Sequence, residues 1–259
     1  MSGSSGLPDW RDAAAYDPLL QAERCAFAWE WLRRSADYRR AATDGLRTPD
    51  KGDGFRLEQP DAAQWGLHVF EDPFLPALHA RPVWSSARHA FVLRATAERS
   101  RPGADSLELD HLLHLATLVE APTGERLLLS DGRRAVRLDV EGAGLREGPV
   151  RLEYRIHGFA AAEAPLTVLR RLAALASTGR FSGKLHPPDR RSRRQILLLR
   201  AHDALAAGAD QRTIAGELLS ERAARANWRF EAPSLRSQAQ RLVRGARLMS
   251  AGAFWPMLQ

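Results

Sequence analysis

The hydrophobic period of the chain changes once, near residue 160, and this change limits the fold more than any other feature. Just before it, residues 150–157 read "VRLEYRIH", in which Val150, Leu152, Tyr154 and Ile156 alternate with Arg151, Glu153, Arg155 and His157. A period of two puts the two sets on opposite faces, so this is a half-buried strand with one wet side. After Pro165 the apolar residues recur every three or four positions and do not return to period two. A sheet-forming half followed by a helical half places the chain in the α+β class.

Four further runs precede that strand at short spacing: "FVLRATA", "HLLHLATLV", "RLLLS" and "AVRLDV". They predict a small antiparallel sheet over about 91–158. Asp131-Gly132 sits between two of the runs and is the residue pair of a two-residue hairpin. Upstream, Asp17-Pro18 is a helix start, a capping Asp before an N1 Pro. The expected helix runs from Leu19 to about Arg34, with Leu20, Phe27, Trp31 and Leu32 at helical spacing. Ser35 caps a short second helix to about Ala42. "DGLRTPDKGDG" reads as a loop, and residues 64–84, rich in Trp, Phe, Pro and Gly, as irregular packed chain. The expected organisation is a flexible head at 1–6 ("MSGSSG"), an N-terminal helical and sheet domain over 7–160, and a C-terminal all-α domain over 165–259.

In the C-terminal half a first helix is expected from Leu166 to Thr178, stopped by Gly179. A second has Asp189 as its cap and ends near Gly208. A third is "DQRTIAGELLS", residues 210–220, with Ile214, Ala215, Leu218 and Leu219 on one face. This third helix looks like the first half of a helix-turn-helix, yet the 3–4 residue turn and second helix of that motif do not follow. Instead "ERAARANWRFEAP" has no clean period. The partner helix comes later, in "PSLRSQAQRLVRGARLM", with Ser234 as cap and Leu235, Ala239, Leu242, Val243, Ala246 and Met249 as one buried stripe. The long connector is then a packed turn anchored by Trp228, and the tail residues Phe254 and Trp255 pack back onto the helical domain.

The opposite side of that last helix carries Arg236, Gln240, Arg244 and Arg247, with Ser237 and Arg241 beside them, and no acidic residue lies between Ser234 and Met249. Arg and Gln can pair bidentately with guanine and adenine edges, and Ser can reach phosphate or base. A recognition helix reads bases mainly through its N-terminal residues. Arg236, Ser237, Gln240 and Arg241 are therefore the candidate base contacts, and Arg244 and Arg247 the candidate phosphate clamps. Arg190, Arg191, Arg193 and Arg194 form a second basic run at the start of another helix in the same half.

Composition sharpens this reading. The net charge is +7, but residues 165–259 hold 17 Lys and Arg against 6 Asp and Glu, a net of +11, and residues 1–164 a net of −4. Such polarity between halves points to a polyanionic partner for the basic half. The expected partner is double-stranded DNA. RNA is disfavoured, because aromatics do not interleave with the basic face as a stacking platform needs. A competing reading keeps the basic half as an adaptor or anti-activator surface for an acidic protein.

Other chemistry finds little support. No apolar run approaches the ~18 residues of a membrane span, and the polar start lacks the pattern of a secretory signal. The single cysteine, Cys25, sits in an apolar stretch and fits a core position in a reducing cytoplasm. His111 and His114, read on a strand, would point to opposite faces. Glu71 and Asp72 are adjacent carboxylates without a converging set. No nucleotide-binding loop or nucleophile motif occurs. No metal, no cofactor and no catalysis are expected.

With these residues in view, the C-terminal part resembles the DNA-binding domain of a bacterial transcriptional activator family, that of type VI secretion regulators and of excision activators of integrative and conjugative elements. The likeness rests on "PLTVLRRL", on "RRQILLLRAHDALAAGADQRTIAGELL", and on the Trp-containing turn followed by "LRSQAQRLVRGARLMSAG". Ala251 stands where the pattern has a glycine. The N-terminal part is similar to the regulator-like domain that often precedes it, through "DWRDAAAYDPLL", "FAWEWLRRSADYRR" and "WGLHVFEDP". The resemblance implies a winged or extended helix-turn-helix activator that acts as a homo-oligomer, with the transcription machinery or a regulatory protein as further partner. It carries DNA contact onto Arg212, Thr213, Arg236, Ser237, Gln240, Arg241 and Arg244.

Overall fold

The computed structural model describes residues 6–46, 55–221 and 233–259. Its elements are α1 (Arg24–Leu32), α2 (Ala36–Gly45), β1 (Phe55–Leu57), β2 (Leu93–Arg99), β3 (Ala116–Ala121), β4 (Gly124–Ser130), β5 (Ala135–Gly142), β6 (Val150–Arg155), α3 (Glu163–Thr178), α4 (Ser192–Ala206), α5 (Gln211–Leu218) and α6 (Pro233–Leu248). The α+β class holds. The contacts divide the chain into two units, each assembled from separated segments.

The sheet unit takes Ala36–Asp72, His79–Pro187 and Leu258–Gln259. Its six strands lie in the order β1-β3-β4-β5-β2-β6. The sheet is mixed rather than antiparallel, because β1 runs parallel to β3 and β2 parallel to β5. Parallel neighbours are joined by long crossovers, so local alternation carries no trace of them. Ala121 pairs with Gly124, which leaves Pro122-Thr123 as a two-residue loop. Gly124 sits at φ 126, and a side chain there would collide with the Val140 carbonyl. The expected hairpin at Asp131-Gly132 is longer than two residues, since Ser130 pairs with Ala135. Asp131 Oδ1 accepts from the amides of Arg133 (2.9 Å) and Arg134 (2.8 Å), which closes the wider turn.

Two more expectations change in this unit. Residues 109–115 form a 3-10 helix, and β3 begins only at Ala116. Leu109 and Leu112 are both buried, and a spacing of three repeats on one side of a 3-10 helix. Helix α3 ends as expected at Thr178, with Gly179 at φ 67 after it, but begins earlier than the expected Leu166, at Glu163. Its Val168, Leu172 and Leu175, however, join the core of the sheet, with Leu93, Leu127 and Leu138, rather than the C-terminal helices.

The helical unit takes residues 6–35 of the described chain, Pro73–Leu78 and Pro188–Met257. The stretch expected as one helix from Leu19 is broken in two. Ala14–Gln21 is a 3-10 helix with Pro18 inside it, and α1 begins at Arg24 after an extended Glu23 (ψ 160). Asp17-Pro18 is thus internal to a short helix rather than its cap. Helix α4 is the spine of the unit, with Ile196, Leu198, Leu199, Ala201 and Ala204 buried. It packs against α1, the 3-10 segment, α5 and α6.

A buried charge network ties the first segment to α4. Arg34 donates from Nε and Nη2 to the two oxygens of Asp203, both at 2.8 Å. It also donates from Nη1 to the Glu30 carboxylate and to the Glu30 carbonyl. Tyr16 donates its hydroxyl to Asp203 (2.7 Å), and Arg33 donates to Glu30 (2.8 Å). Arg200 on α4 reaches the carbonyls of Trp10 and Arg11.

Candidate nucleic-acid interface

Helix α5 starts where its sequence says it should. Asp210 precedes it in an extended conformation, and its Oδ1 accepts from the Thr213 amide at 2.7 Å. Bonds from the Thr213 backbone and side chain hold the Asp210 carboxyl below its ordinary range. Thr213 is therefore engaged in the cap, and Arg212 beside it is exposed. Ile214 and Ala215 are fully buried. The helix closes with the amides of Leu219 and Ser220 on the Ala215 carbonyl.

Helix α6 is amphipathic in the way the sequence predicts. Leu235, Ala239, Leu242 and Ala246 are buried, and Val243 and Met249 half-buried. Ala215 of α5, Leu235 and Ala239 form one core cluster, with Leu219 packed against it. Burying each Leu contributes roughly 1.5–3 kcal/mol, and this fixes which side of α6 faces outward. At about 100° per residue, the polar candidates from Ser234 to Arg247 sweep roughly 160° on the side opposite the buried stripe. Arg236, Gln240, Arg241, Arg244 and Arg247 are exposed, as is Ser234, and Ser237 is half-buried. The described helix begins at Pro233, so Ser234 lies in its first turn. Arg244 and Arg247 stand near the C-terminal end, where the helix dipole favours cations.

A groove of about 350 Å³ runs beside this face, lined by Gln211, Gln240, Val243, Arg244, Arg247 and Leu248. It brings three of the expected site residues together with Gln211, which the sequence reading passed over. Its signal was its place: the residue after a capping Asp opens the helix. Arg236, Ser237, Arg241, Arg212 and Thr213 lie outside the lining. Arg190, Arg191, Arg193 and Arg194 are exposed around the start of α4 and also lie outside it. Between α5 and α6 stand 14 residues, 219–232. The expected Trp228 anchor falls in 222–232, outside the described residues. In the tail Phe254 is buried and stacks at 4.6 Å from the half-buried Trp255.

His111 and His114 sit on the 3-10 helix, not on a strand, and both are exposed. No group of three His, Cys, Asp or Glu side chains suited to a metal ion occurs among the described residues. Burial raises the Glu71 carboxyl above its ordinary range, against the opposing charge of Arg56 at 3.1 Å. Cys25 is buried and its thiol forms no disulfide. Among the described residues no helix is long and apolar enough to cross a membrane.

Comparison with known families agrees with the exposed basic face. Residues 155–259 match the DNA-binding domain of a type VI secretion system transcription factor. Residues 9–69 match a proteobacterial transcriptional regulator-like domain. No curated protein matches the chain. The two matches, in this order, support a transcriptional regulator family of the type VI secretion type, with a regulator-like domain at the N-terminus and a DNA-binding domain at the C-terminus.

Proposed function

We propose that the chain is a sequence-specific transcriptional activator that binds double-stranded DNA through a helix-turn-helix with an extended turn. In this reading α5 supports and α6 reads. The observation that carries it is the outward face of α6, where four Arg and Gln240 stand exposed without an acidic residue while the other side is locked against α4 and α5. Arg236, Ser237, Gln240 and Arg241 contact bases. Arg244, Arg247, Arg212 and the run Arg190, Arg191, Arg193 and Arg194 hold phosphates, together with Ser234 and Thr213. Two copies of the chain would read two half-sites about one helical turn apart.

Selection of bound sites from a random DNA pool with the full-length chain tests this. A single enriched motif is expected, bound with strong salt dependence. Neutralising ~6 phosphates weakens binding by orders of magnitude over a fourfold rise in salt. Gln240→Ala then relaxes preference at one base position by ~1–3 kcal/mol, whereas Arg247→Ala weakens all sequences alike and lowers the salt slope by about one. A pool that stays random, with an association to acidic protein that survives nuclease, overturns the reading in favour of an adaptor.

A further inference from the structure

Strand β6 is an outer strand of the sheet, and its outer edge is only partly covered by the described residues. Leu107 and Val150 exchange both backbone bonds, at 2.8 and 3.1 Å, on the side of β6 away from β2. Backbone groups of an antiparallel strand alternate in direction. The N–H and C=O groups of Leu152 and Tyr154 therefore also point outward, and among the described residues no strand pairs with them. Tyr154 is 39% exposed, and Leu152 and Ile156 are half-buried. A groove of about 890 Å³ lies along this edge, with Leu112, Leu152, Tyr154, Leu172 and Ala176 in its lining. On the opposite face of the sheet Arg151, Glu153 and Arg155 are exposed.

We propose that β6 pairs antiparallel with β6 of a second copy, on a two-fold axis through Tyr154, so that Glu153 of each chain meets Arg155 of the other. Hydrogen-bond parity allows a two-fold axis through any residue of the strand. An axis through Val150 falls where Leu107 is already bonded, and axes through Arg151 or Arg155 set an Arg directly against itself. An axis through Leu152 sets Tyr154 of the second copy against Val150, a place Leu107 already holds. An axis through Glu153 sets Glu153 against Glu153 and Arg151 against Arg155, and like charges directly opposite are destabilising. The axis through Tyr154 sets Leu152 against Ile156 on the α3 side, inside the groove, and Glu153 against Arg155 on the other. Glu153 has no ion pair in its own chain among the described residues, and Arg155, already 2.9 Å from Glu141, gains a second carboxylate. Gly158, at φ 64 and without a side chain, ends the overlap before Leu107. The edge thus gains a strand, which removes the liability of an open sheet edge.

The inference rests on the reading that the chain self-associates, and the experiment separates the two. In the full-length chain Tyr154→Cys lies on the axis and meets its own copy at a Cα separation of about 5.5 Å, within disulfide range. Mild oxidation is expected to give a covalent dimer, while the wild type, whose Cys25 is buried, and Arg133→Cys at a remote loop do not. Glu153→Cys and Arg155→Cys crosslink only when mixed. Glu153→Arg or Arg155→Glu alone weakens association about tenfold, since each alters two symmetric pairs, and the double reversal restores it. A full-length chain that stays monomeric at tens of micromolar overturns both self-association and this surface. A dimer that is indifferent to the charge reversals and does not crosslink through residue 154 overturns the surface alone.

Discussion

The residue on which the helical unit most depends is Arg34. Its donors face carboxylates or carbonyls in a dry interior, and among the described residues Glu30 and Asp203 have no other cation at that range except Arg33 for Glu30. Removing one member of a buried ion network leaves its partners charged and dry, which costs ~3–5 kcal/mol. Arg34→Ala is expected to lower urea stability by that amount. Burial alone would raise the Glu30 carboxyl, but the charges of Arg34 and Arg33 outweigh it and hold the pKa below the ordinary 4.5. A depressed folded pKa means stability present above 4.5 and lost as pH falls through the folded value. The urea midpoint of the wild type should drop on acidification below about 4.5, and Glu30→Gln should flatten part of that drop. Parallel acid limbs in the two proteins would remove Glu30 as its source. The near half of this network is visible in "EWLRR", where Glu30 precedes Arg33 and Arg34 by three and four positions. Asp203 is not, because it lies 169 residues away.

At the scale of elements, what could be read in advance was what is encoded locally. The stripe of α6, the Gly179 stop and the alternation in β6 each depend on residues within one or two turns. Strand partners depend on contacts far along the chain, so the parallel pairs were invisible. The exposed candidates on α6 could be read from its period, whereas the groove beside Gln240, Arg244 and Arg247 needed the position of α5. The crossing of α6 on α4 is another such contact. A Cβ placed on Gly245 would stand 2.8 Å from Leu198 Cδ2, so the two helices meet where one has no side chain. Overpacking of this kind typically costs ~1–3 kcal/mol. Gly245→Leu should destabilise the unit in that range and weaken DNA binding by shifting the α6 face. Leu198→Ala, destabilising alone, should recover part of both losses in the double variant. Strict additivity of the two in a double-mutant cycle would show that the contact does not form.

For the whole molecule, the family boundaries and the packing units run differently along the chain. The DNA-binding match begins at residue 155 and the regulator-like match covers 9–69, yet residues 6–35 pack with Pro188–Met257 in one unit. Helix α4 shows why. Its Asp203 is satisfied by Arg34 and Tyr16, and its Arg200 by the carbonyls of Trp10 and Arg11. A fragment of residues 155–259 would leave that side of α4 to water, with the apolar stretch around Leu199, Ala201 and Ala204 less well covered. Buried polar groups that lose their partners cost ~1–3 kcal/mol each, against a total stability of ~5–15 kcal/mol for a domain. Such a fragment should therefore unfold without a cooperative transition and bind DNA weakly, although it carries the whole α6 face. Adding a peptide of residues 6–35 in trans should raise both helicity and affinity, and the same peptide with Arg34→Ala should not. A fragment that melts as sharply as the full chain would mean that the N-terminal segment decorates the DNA-binding helices without completing them.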